Sequence, residues 1–158
     1  MGSKILDLPA ANSHITSVLL DTSVLIYYLE GIEPYNLLAQ EIFQDIVDEN
    51  IRGSLSAISV TEFVAKPLGT EKVIDVEGFK QFLVSLPIQV LEINYEIAER
   101  AGKLRSQYPS VPTPDALIVA TALENDCDVF VTNDKRLKKL EVYGLTVIVL
   151  KDFVESHP

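Results

Sequence analysis

Four acidic residues stand where a short apolar run meets a predicted turn. Asp21 follows Ser-Val-Leu-Leu, Glu62 follows Ser-Leu-Ser-Ala-Ile-Ser-Val-Thr, and Asp134 follows Val-Phe-Val-Thr-Asn. At the fourth place the order is reversed, because Asp115 precedes the apolar run Ala-Leu-Ile-Val-Ala-Thr-Ala-Leu. Carboxylates that converge on one place stay ionised only beside cations. Hard oxygen ligands of this kind predict a site for Mg²⁺ or Mn²⁺.

Each of these acids also has a purely structural explanation. Ser59-Val-Thr-Glu62 matches a helix capping box, in which a glutamate stands three residues after the capping serine. Asp115 in the first turn of a helix is favoured by the helix dipole, Asp134 precedes a short predicted helix that it would cap, and Asp21 would be a loop acid. Taken singly, the acids leave both interpretations open, and only their joint placement favours a metal site.

The elements that must position these acids alternate between strands and helices. Apolar runs predict strands at residues 18–20, 55–58, 88–93, 129–132 and 145–150. Helical spacing and capping residues predict helices at residues 24–29, 34–50, 59–67, 75–86, 95–107, 113–125 and 134–140, with Asn94 and Thr113 as caps and Pro114 at a first helical position. This alternation predicts an α/β fold with a parallel sheet of about five strands, covered by helices on both faces.

A parallel sheet would bring the acids together at one edge. Ligands of such sheets bind beyond the carboxyl ends of the strands, where the strand order reverses. Asp21, Glu62 and Asp134 lie just past predicted strands, and Asp115 begins a helix that would return to the same edge. Around them, four polar residues are candidates to orient bound water or to hold the carboxylates, with turn and cap chemistry as the open alternative: Thr22, Ser23, Thr132 and Asn133.

A divalent ion at this edge supports phosphodiester hydrolysis without a protein nucleophile. It lowers the pKa of a bound water and stabilises charge on the leaving oxygen. Lys135 and Arg136 directly follow Asp134, which makes them the best candidates to bind a phosphate backbone, with solvated surface as the alternative. The sequence contains no Gly-rich phosphate loop, dinucleotide fingerprint or nucleophile elbow.

Composition sets the outer limits of this interpretation. A length of 158 residues suits one domain, and we expect an N-terminal extension at residues 1–17 followed by a single domain at residues 18–158. The net charge of −10 argues against loose, nonspecific binding of nucleic acid. No apolar run is long enough to cross a membrane, residues 1–17 do not resemble a signal peptide, and the single cysteine, Cys127, fits a reducing cytoplasm.

Four segments, in order, resemble the motifs of the PIN-domain family. They are Leu-Leu-Asp21-Thr-Ser-Val-Leu-Ile, Ser-Val-Thr-Glu62-Phe, Pro-Asp115-Ala-Leu-Ile-Val-Ala-Thr-Ala and Val-Phe-Val-Thr-Asn-Asp134. The resemblance covers roughly residues 18–150. It implies a three-layer α/β/α sandwich, often paired into a homodimer, and a ribonuclease dependent on Mg²⁺ or Mn²⁺. In that family the four acids would be the metal-binding set, and Thr132 matches a supporting hydroxyl position.

The resemblance also implies a partner. Small members of the family similar to the VapC group are commonly the toxins of type II toxin–antitoxin pairs. A cognate antitoxin lies in a groove of such a toxin and can block its acidic site. The sequence therefore predicts a metal-dependent endoribonuclease that acts as a toxin, with a PIN-domain RNA-processing nuclease outside these systems as the first alternative.

Three other classes of protein are weaker alternatives. A signalling receiver would need a phosphate-accepting aspartate after its central strand, where this chain has Asn94, although Lys151 supplies the lysine of that pattern. A phosphatase of the haloacid-dehalogenase type would need a second acid where Ser23 stands. A catalytically silent PIN domain would not be expected to keep all four acids.

Overall fold

The computed structural model describes residues 5–6, 14–65, 75–86 and 88–156, and a parallel sheet forms its centre. The five strands are β1 (Ser17–Leu20), β2 (Arg52–Ser56), β3 (Ile88–Leu91), β4 (Val129–Thr132) and β5 (Thr146–Val149). They lie in the order β3-β2-β1-β4-β5, and every neighbouring pair is parallel. The prediction of a five-stranded parallel sheet is confirmed.

Helices connect the strands. They are α1 (Thr22–Glu30), α2 (Tyr35–Asp48), α3 (Ala57–Val64), α4 (Val76–Ser85), α5 (Tyr95–Gln107), α6 (Thr113–Glu124) and α7 (Leu150–Ser156), and a 3₁₀ helix (Lys135–Tyr143) joins β4 to β5. In the described ranges, none of these helices has the length and apolar character to span a membrane.

Two separate apolar cores show that helices cover both faces of the sheet. Val18 and Leu20 of β1 belong to one core, which includes buried residues of α1 and α2. Leu19 points the other way and packs in the second core, with residues of α5 and α6. Alternation along one strand sends successive side chains to opposite faces, so a fully buried β1 fits the middle of a three-layer α/β/α sandwich.

The second strand and the helix after it begin earlier than the sequence predicts. Pairing of β2 with β3 ends at Ser56, which then caps α3 by accepting a hydrogen bond from the backbone N–H of Ile58 at 3.4 Å. Ser59 lies inside α3 and is buried. The predicted capping box is therefore wrong, and Glu62 has no capping role.

Other boundaries also differ from the predictions. Thr113 lies within α6, whose cap position is Pro112, so the predicted Thr113 cap is wrong, although Pro114 does stand in the first turn. β3 ends at Leu91, before its predicted end at residue 93. β5 ends at Val149, where the chain turns directly into α7, a helix that the sequence analysis did not predict. The predicted helix end at Pro67 lies outside the described residues.

The start of β1 is anchored to the start of β4. The Asp128 carboxylate accepts hydrogen bonds from the backbone N–H groups of Thr16, at 2.7 Å, and Ser17, at 3.1 Å. Partial burial alone would raise the pKa of Asp128, but the hydrogen bonds from Thr16 and Ser17 outweigh it and lower that pKa. Two described residues of the predicted N-terminal extension, Ile5 and Leu6, are buried in the first core.

The strand order also bears on the signalling-receiver alternative. Receiver modules have the doubly wound order 2-1-3-4-5. Here β1 lies between β2 and β4, and β3 is at an edge. The observed topology contradicts the receiver interpretation.

Candidate active site

A cavity of about 680 Å³ opens beyond the carboxyl ends of β1 and β4. The chain adds β2 and β3 on one side of β1 and then crosses to add β4 and β5 on the other, so the strand order reverses here. Four predicted acids line this cavity: Asp21, Glu62, Asp115 and Asp134. They come from the end of β1, from α3, from the first turn of α6 and from the end of β4. The fold thus brings them together where α/β sheets bind their ligands.

Asp21 is the most deeply placed of the four acids, with 8% of its surface exposed. It caps α1, because one carboxylate oxygen accepts from the Thr22 N–H at 2.8 Å, and the other oxygen accepts from the Thr132 hydroxyl at 2.6 Å. Burial raises the pKa of Asp21 to about 6, and the negative charges of Asp115 and Glu62 add to that rise against the opposing hydrogen bonds. An ionised Asp21 is therefore costly in the absence of a cation.

Glu62 is fixed by the helix that follows β1. The Thr22 hydroxyl donates to Glu62 Oε1 at 2.6 Å, and the same hydroxyl oxygen lies 2.8 Å from the Ser59 hydroxyl. Because α1 begins at Thr22 and α3 carries both Ser59 and Glu62, this contact joins the two helices beside the cavity. Ser59 thus positions the site from inside α3 rather than by capping that helix.

Asp115 is half-buried and faces the other acids without a hydrogen bond of its own. Within the described ranges no donor bonds to its carboxylate, unlike those of Asp21, Glu62 and Asp134. Burial raises the pKa of Asp115, and the charges of Asp134 and Glu62 raise it further, while Arg136 partly opposes them. A carboxylate with a raised pKa and free oxygens is suited to accept a cation.

Asp134 is paired with a cation from its own segment. Arg136 donates to both carboxylate oxygens, from Nε at 3.0 Å and from a terminal nitrogen at 2.6 Å. The Arg136 backbone N–H also donates to Asp134, which therefore caps the 3₁₀ helix, as one interpretation of the sequence predicted. The hydrogen bond from the Arg136 guanidinium is the main cause that lowers the pKa of Asp134.

Two hydroxyl groups support the acids: that of Thr132, which is fully buried and does not line the cavity, and that of Ser23, which does. The Thr132 hydroxyl donates to Asp21 and accepts from the Asp134 N–H at 3.1 Å, so it ties the acid after β1 to the acid after β4. The Ser23 hydroxyl lines the cavity and is buried, and no hydrogen-bond partner for it occurs in the part of the chain that is described. A buried hydroxyl left without a partner is a place for a bound water or for the shell of a bound ion.

Asn133 joins three elements at the rim of the cavity. Its amide nitrogen donates to the Tyr27 hydroxyl at 3.0 Å, and its amide oxygen accepts from the Lys151 backbone N–H at 2.8 Å. Tyr27 belongs to α1 and Lys151 to α7, and Asn133 follows β4. This side chain fixes the place at which β5 passes into α7.

The predicted phosphate-binding residues both line the cavity, and both are already paired. The Lys135 ammonium lies 3.3 Å from Asp152 and 3.2 Å from Glu155, two acids of α7. Arg136 is bound to Asp134. A third cation, Lys151, also lines the cavity, and the sequence analysis did not place it at the site.

Lys151, Tyr27 and Ile26 are the lining residues that the sequence analysis missed. The signal for Lys151 was present, since it follows the predicted fifth strand as Asp134 follows the fourth. The predicted strand covered residues 145–150, and no turn motif between it and Lys151 marked the position as part of a site. Tyr27 and Ile26 carried no signal, because their spacing is that of ordinary apolar positions of a helix.

The side chains are of the types that bind a hard divalent ion, but they are not arranged as a complete set of ligands. Among the residues that the structure describes, no three acidic, histidine or cysteine side chains are grouped as a formed metal site. Asp21, Glu62 and Asp134 are each hydrogen-bonded to another side chain. The all-oxygen donor set, the raised pKa of Asp21 and the unpaired Ser23 hydroxyl nevertheless match what Mg²⁺ or Mn²⁺ requires.

Several solved structures, among them a toxin–antitoxin complex, are similar to this fold. A toxin–antitoxin complex from Klebsiella pneumoniae aligns with a TM-score of 0.57 and 24% identity, covering 75% of this chain and 88% of that one. DNA-bound VapBC from Salmonella typhimurium gives 0.61 and 23%, covering 84% and 97%. FitAcB from Neisseria gonorrhoeae gives 0.59 and 21%, covering 83% and 96%. At these identities the likeness concerns the fold.

Comparison with family models gives the assignment. No curated protein matches this chain. A family model described as the PIN domain matches residues 18–143, which contain all four acids and most of the sheet. The strand order, the acid-lined cavity and this match agree, and the chain belongs to the PIN domain family.

Proposed function

We propose that this protein is an endoribonuclease that uses Mg²⁺ or Mn²⁺ to hydrolyse phosphodiester bonds in RNA. The observation that carries the proposal is the meeting of Asp21, Glu62, Asp115 and Asp134 in one cavity. They come from four different elements of the fold, and each capping explanation concerns one element only. Helix capping does not account for their convergence, whereas a shared cation does.

In this proposal the carboxylates divide the work of holding the ion. Asp21 and Asp115 are the principal ligands, because one is buried with a raised pKa and the other has free oxygens. Glu62 and Asp134 complete the ligand set or orient the attacking water. When bound, a divalent ion would make water more acidic and would stabilise charge on the leaving oxygen.

The neutral residues hold this acidic set in place. Thr132 orients Asp21 and the backbone of Asp134, and Thr22 orients Glu62. Ser23 is available to hydrogen-bond a bound water, and Asn133 fixes the rim. Each contact limits the directions in which a carboxylate can point, which favours one arrangement of the site.

RNA would be bound through its phosphates at the same rim. Lys135 and Arg136 are the candidates from the sequence, and each would exchange a carboxylate partner for a phosphate. Arg136 matters twice, because its release would also free Asp134 to ligate the ion. Hydrolysis then joins a water oxygen to phosphorus, breaks one phosphorus–oxygen bond to a ribose, and leaves the water proton on the departing oxygen.

We further propose that the protein is the toxin of a toxin–antitoxin pair, acting in the cytoplasm as a homodimer built from one domain at residues 18–158. The support is the likeness of its fold to toxin–antitoxin complexes and its single cysteine, which fits a reducing compartment. A cognate antitoxin would cover the acidic cavity. An RNA-processing nuclease of the same family is the alternative, and it would need no such partner.

Cleavage of a labelled RNA with and without Mn²⁺ tests the proposed chemistry. Asp21→Asn and Asp115→Asn each remove one charge from the site while keeping the side-chain shape, and we expect each to reduce cleavage at least a hundredfold. The matched control is Asp48→Asn on the exposed end of α2, which should cleave like the wild type. Full activity in either site variant, or in excess chelator, would refute the proposal.

A further inference from the structure

Charge around the cavity is unevenly compensated. Its lining includes four carboxylates and three cations: Asp21, Glu62, Asp115, Asp134, Lys135, Arg136 and Lys151. Two of the cations have carboxylate partners, Lys135 with two acids of α7 and Arg136 with Asp134. The third, Lys151, makes no ion pair within the ranges 14–65, 75–86 and 88–156.

Lys151 is nevertheless close enough to act on the site. It is exposed at the cavity wall, and its positive charge adds to the larger effect of Arg136 in lowering the pKa of Asp134. An exposed lysine away from other charges is ordinary surface. A lysine that faces an acidic cavity and stays unpaired, while its neighbours are paired, keeps its ammonium available for an anion.

The backbone of Lys151 is held in place from the site itself. The amide oxygen of Asn133 accepts a hydrogen bond from the Lys151 N–H at 2.8 Å, and its amide nitrogen donates to the Tyr27 hydroxyl. Asn133 is buried and follows Thr132, which holds Asp21. The point from which the Lys151 side chain extends is therefore fixed relative to the carboxylates, which is what a phosphate contact of defined register requires.

We propose that Lys151 binds a backbone phosphate of the RNA substrate at the rim of the carboxylate cavity. The proposal rests on the function proposed above, and it adds a substrate-binding residue to that site. A chain with a net charge of −10 repels polyanions, so a local unpaired cation is needed to bring a phosphate beside four acids. Lys135 and Arg136 must first give up carboxylate partners, whereas Lys151 does not.

Binding of a fluorescein-labelled ten-nucleotide single-stranded RNA tests this, measured by anisotropy with Ca²⁺ replacing Mn²⁺. We expect Lys151→Gln to weaken binding about tenfold, the effect of one lost charge-assisted contact. The slope of log affinity against log salt should fall in magnitude by about 0.7, as for one single-strand phosphate contact. Lys151→Arg should keep most of the affinity, because it keeps the charge.

Lys103→Gln is the matched control, since it removes the same charge from an exposed site on α5. Unfolding curves of all variants should coincide, which separates a binding defect from a folding defect. Equal losses in Lys151→Gln and Lys103→Gln, or no loss in Lys151→Gln, would overturn the assignment.

A Mn²⁺ cleavage assay on the same proteins separates the two proposals. If wild type cleaves RNA while Lys151→Gln binds normally, only Lys151 is wrongly assigned. If wild type binds without cleaving while Lys151→Gln loses affinity, the hydrolytic function fails and the phosphate site stands.

Discussion

At the scale of single residues, side chains that line the carboxylate cavity also hold the fold together. Asp21 caps α1 and also enters the carboxylate cavity, and Asp134 caps the 3₁₀ helix while it faces Asp115. Capping and metal binding therefore do not exclude each other, because a helix start fixes the direction of the carboxylate that caps it. The sequence predicted the identity of all four acids, since their types and order are visible in it.

The partners of those acids were much harder to predict. The pairing of Arg136 with Asp134 and the bond from Thr22 to Glu62 depend on side-chain directions, which sequence spacing does not specify. The capping box at Ser59 was misleading because two serines, Ser56 and Ser59, can each cap a helix, and their spacing does not show where the strand ends. In the structure β2 and its pairing with β3 end at Ser56, and Ser56 caps α3.

Asp21 should destabilise the metal-free protein near neutral pH. Its pKa is about 6 in the folded state and about 4 in an unfolded chain. Because the folded pKa is the higher one, the contribution of Asp21 to stability is greatest below about pH 4, is lost as pH rises from about 4 to about 6, and stays low above that. Asp21→Asn removes this loss, and we expect it to raise the free energy of unfolding at pH 7.5 by about 1 to 3 kcal/mol.

Urea denaturation in chelator at pH 4 and pH 7.5 measures that effect. The advantage of Asp21→Asn over wild type should be small at the lower pH and largest at the higher pH. Asp48→Asn controls for the loss of one negative charge at an exposed site. An Asp21→Asn protein less stable than wild type at pH 7.5 would show that the carboxylate is held by contacts stronger than its burial penalty.

At the scale of elements, the order of strands decides where the acids meet. The alternation of helices and strands predicted a parallel sheet, but the sequence contains no direct signal for β1 lying between β2 and β4. This order leaves the carboxyl ends of β1 and β4 side by side, so Asp21 and Asp134 become neighbours although 113 positions separate them. Helix α7 went unpredicted because its apolar start continues the β5 pattern.

Asp128 stabilises the pairing of β1 with β4 at the amino ends of these strands, away from the cavity. Asp128→Ala leaves the N–H groups of Thr16 and Ser17 without their carboxylate acceptor, and we expect it to lower the free energy of unfolding by about 1 to 3 kcal/mol at pH 7. The pKa of Asp128 is lowered in the fold. Its stabilisation is therefore complete above the unfolded pKa and is lost as pH falls through the folded one.

Denaturation of Asp128→Ala and wild type at pH 7 and pH 3 checks this, and the difference between them should shrink at the lower pH. Asp126→Asn is a suitable control, because its side chain is exposed and asparagine tolerates its left-handed backbone conformation. Equal stability of Asp128→Ala and wild type at pH 7 would rule out the anchor.

At the scale of the whole molecule, an acidic protein is proposed to act on an acidic polymer. The two can bind each other only if cations lie between them. The cavity provides for two kinds of cation: a divalent ion, which its carboxylates are suited to bind, and three basic side chains at its rim. The composition alone predicts that the protein, with a net charge of −10, repels RNA overall. The grouping of three basic side chains beside the four acids follows from the fold and was not visible in the composition.

The central claim is that four acids form one divalent-ion site, and calorimetric titration of Mn²⁺ into the metal-free protein tests it most directly. We expect saturable binding by wild type and by Asp48→Asn, and loss of that binding in Asp21→Asn and in Asp115→Asn alike. Since Asp21 follows β1 and Asp115 lies in the first turn of α6, the shared loss would identify a common site. Wild-type protein that binds no Mn²⁺, or variants that bind it as wild type does, would contradict the account.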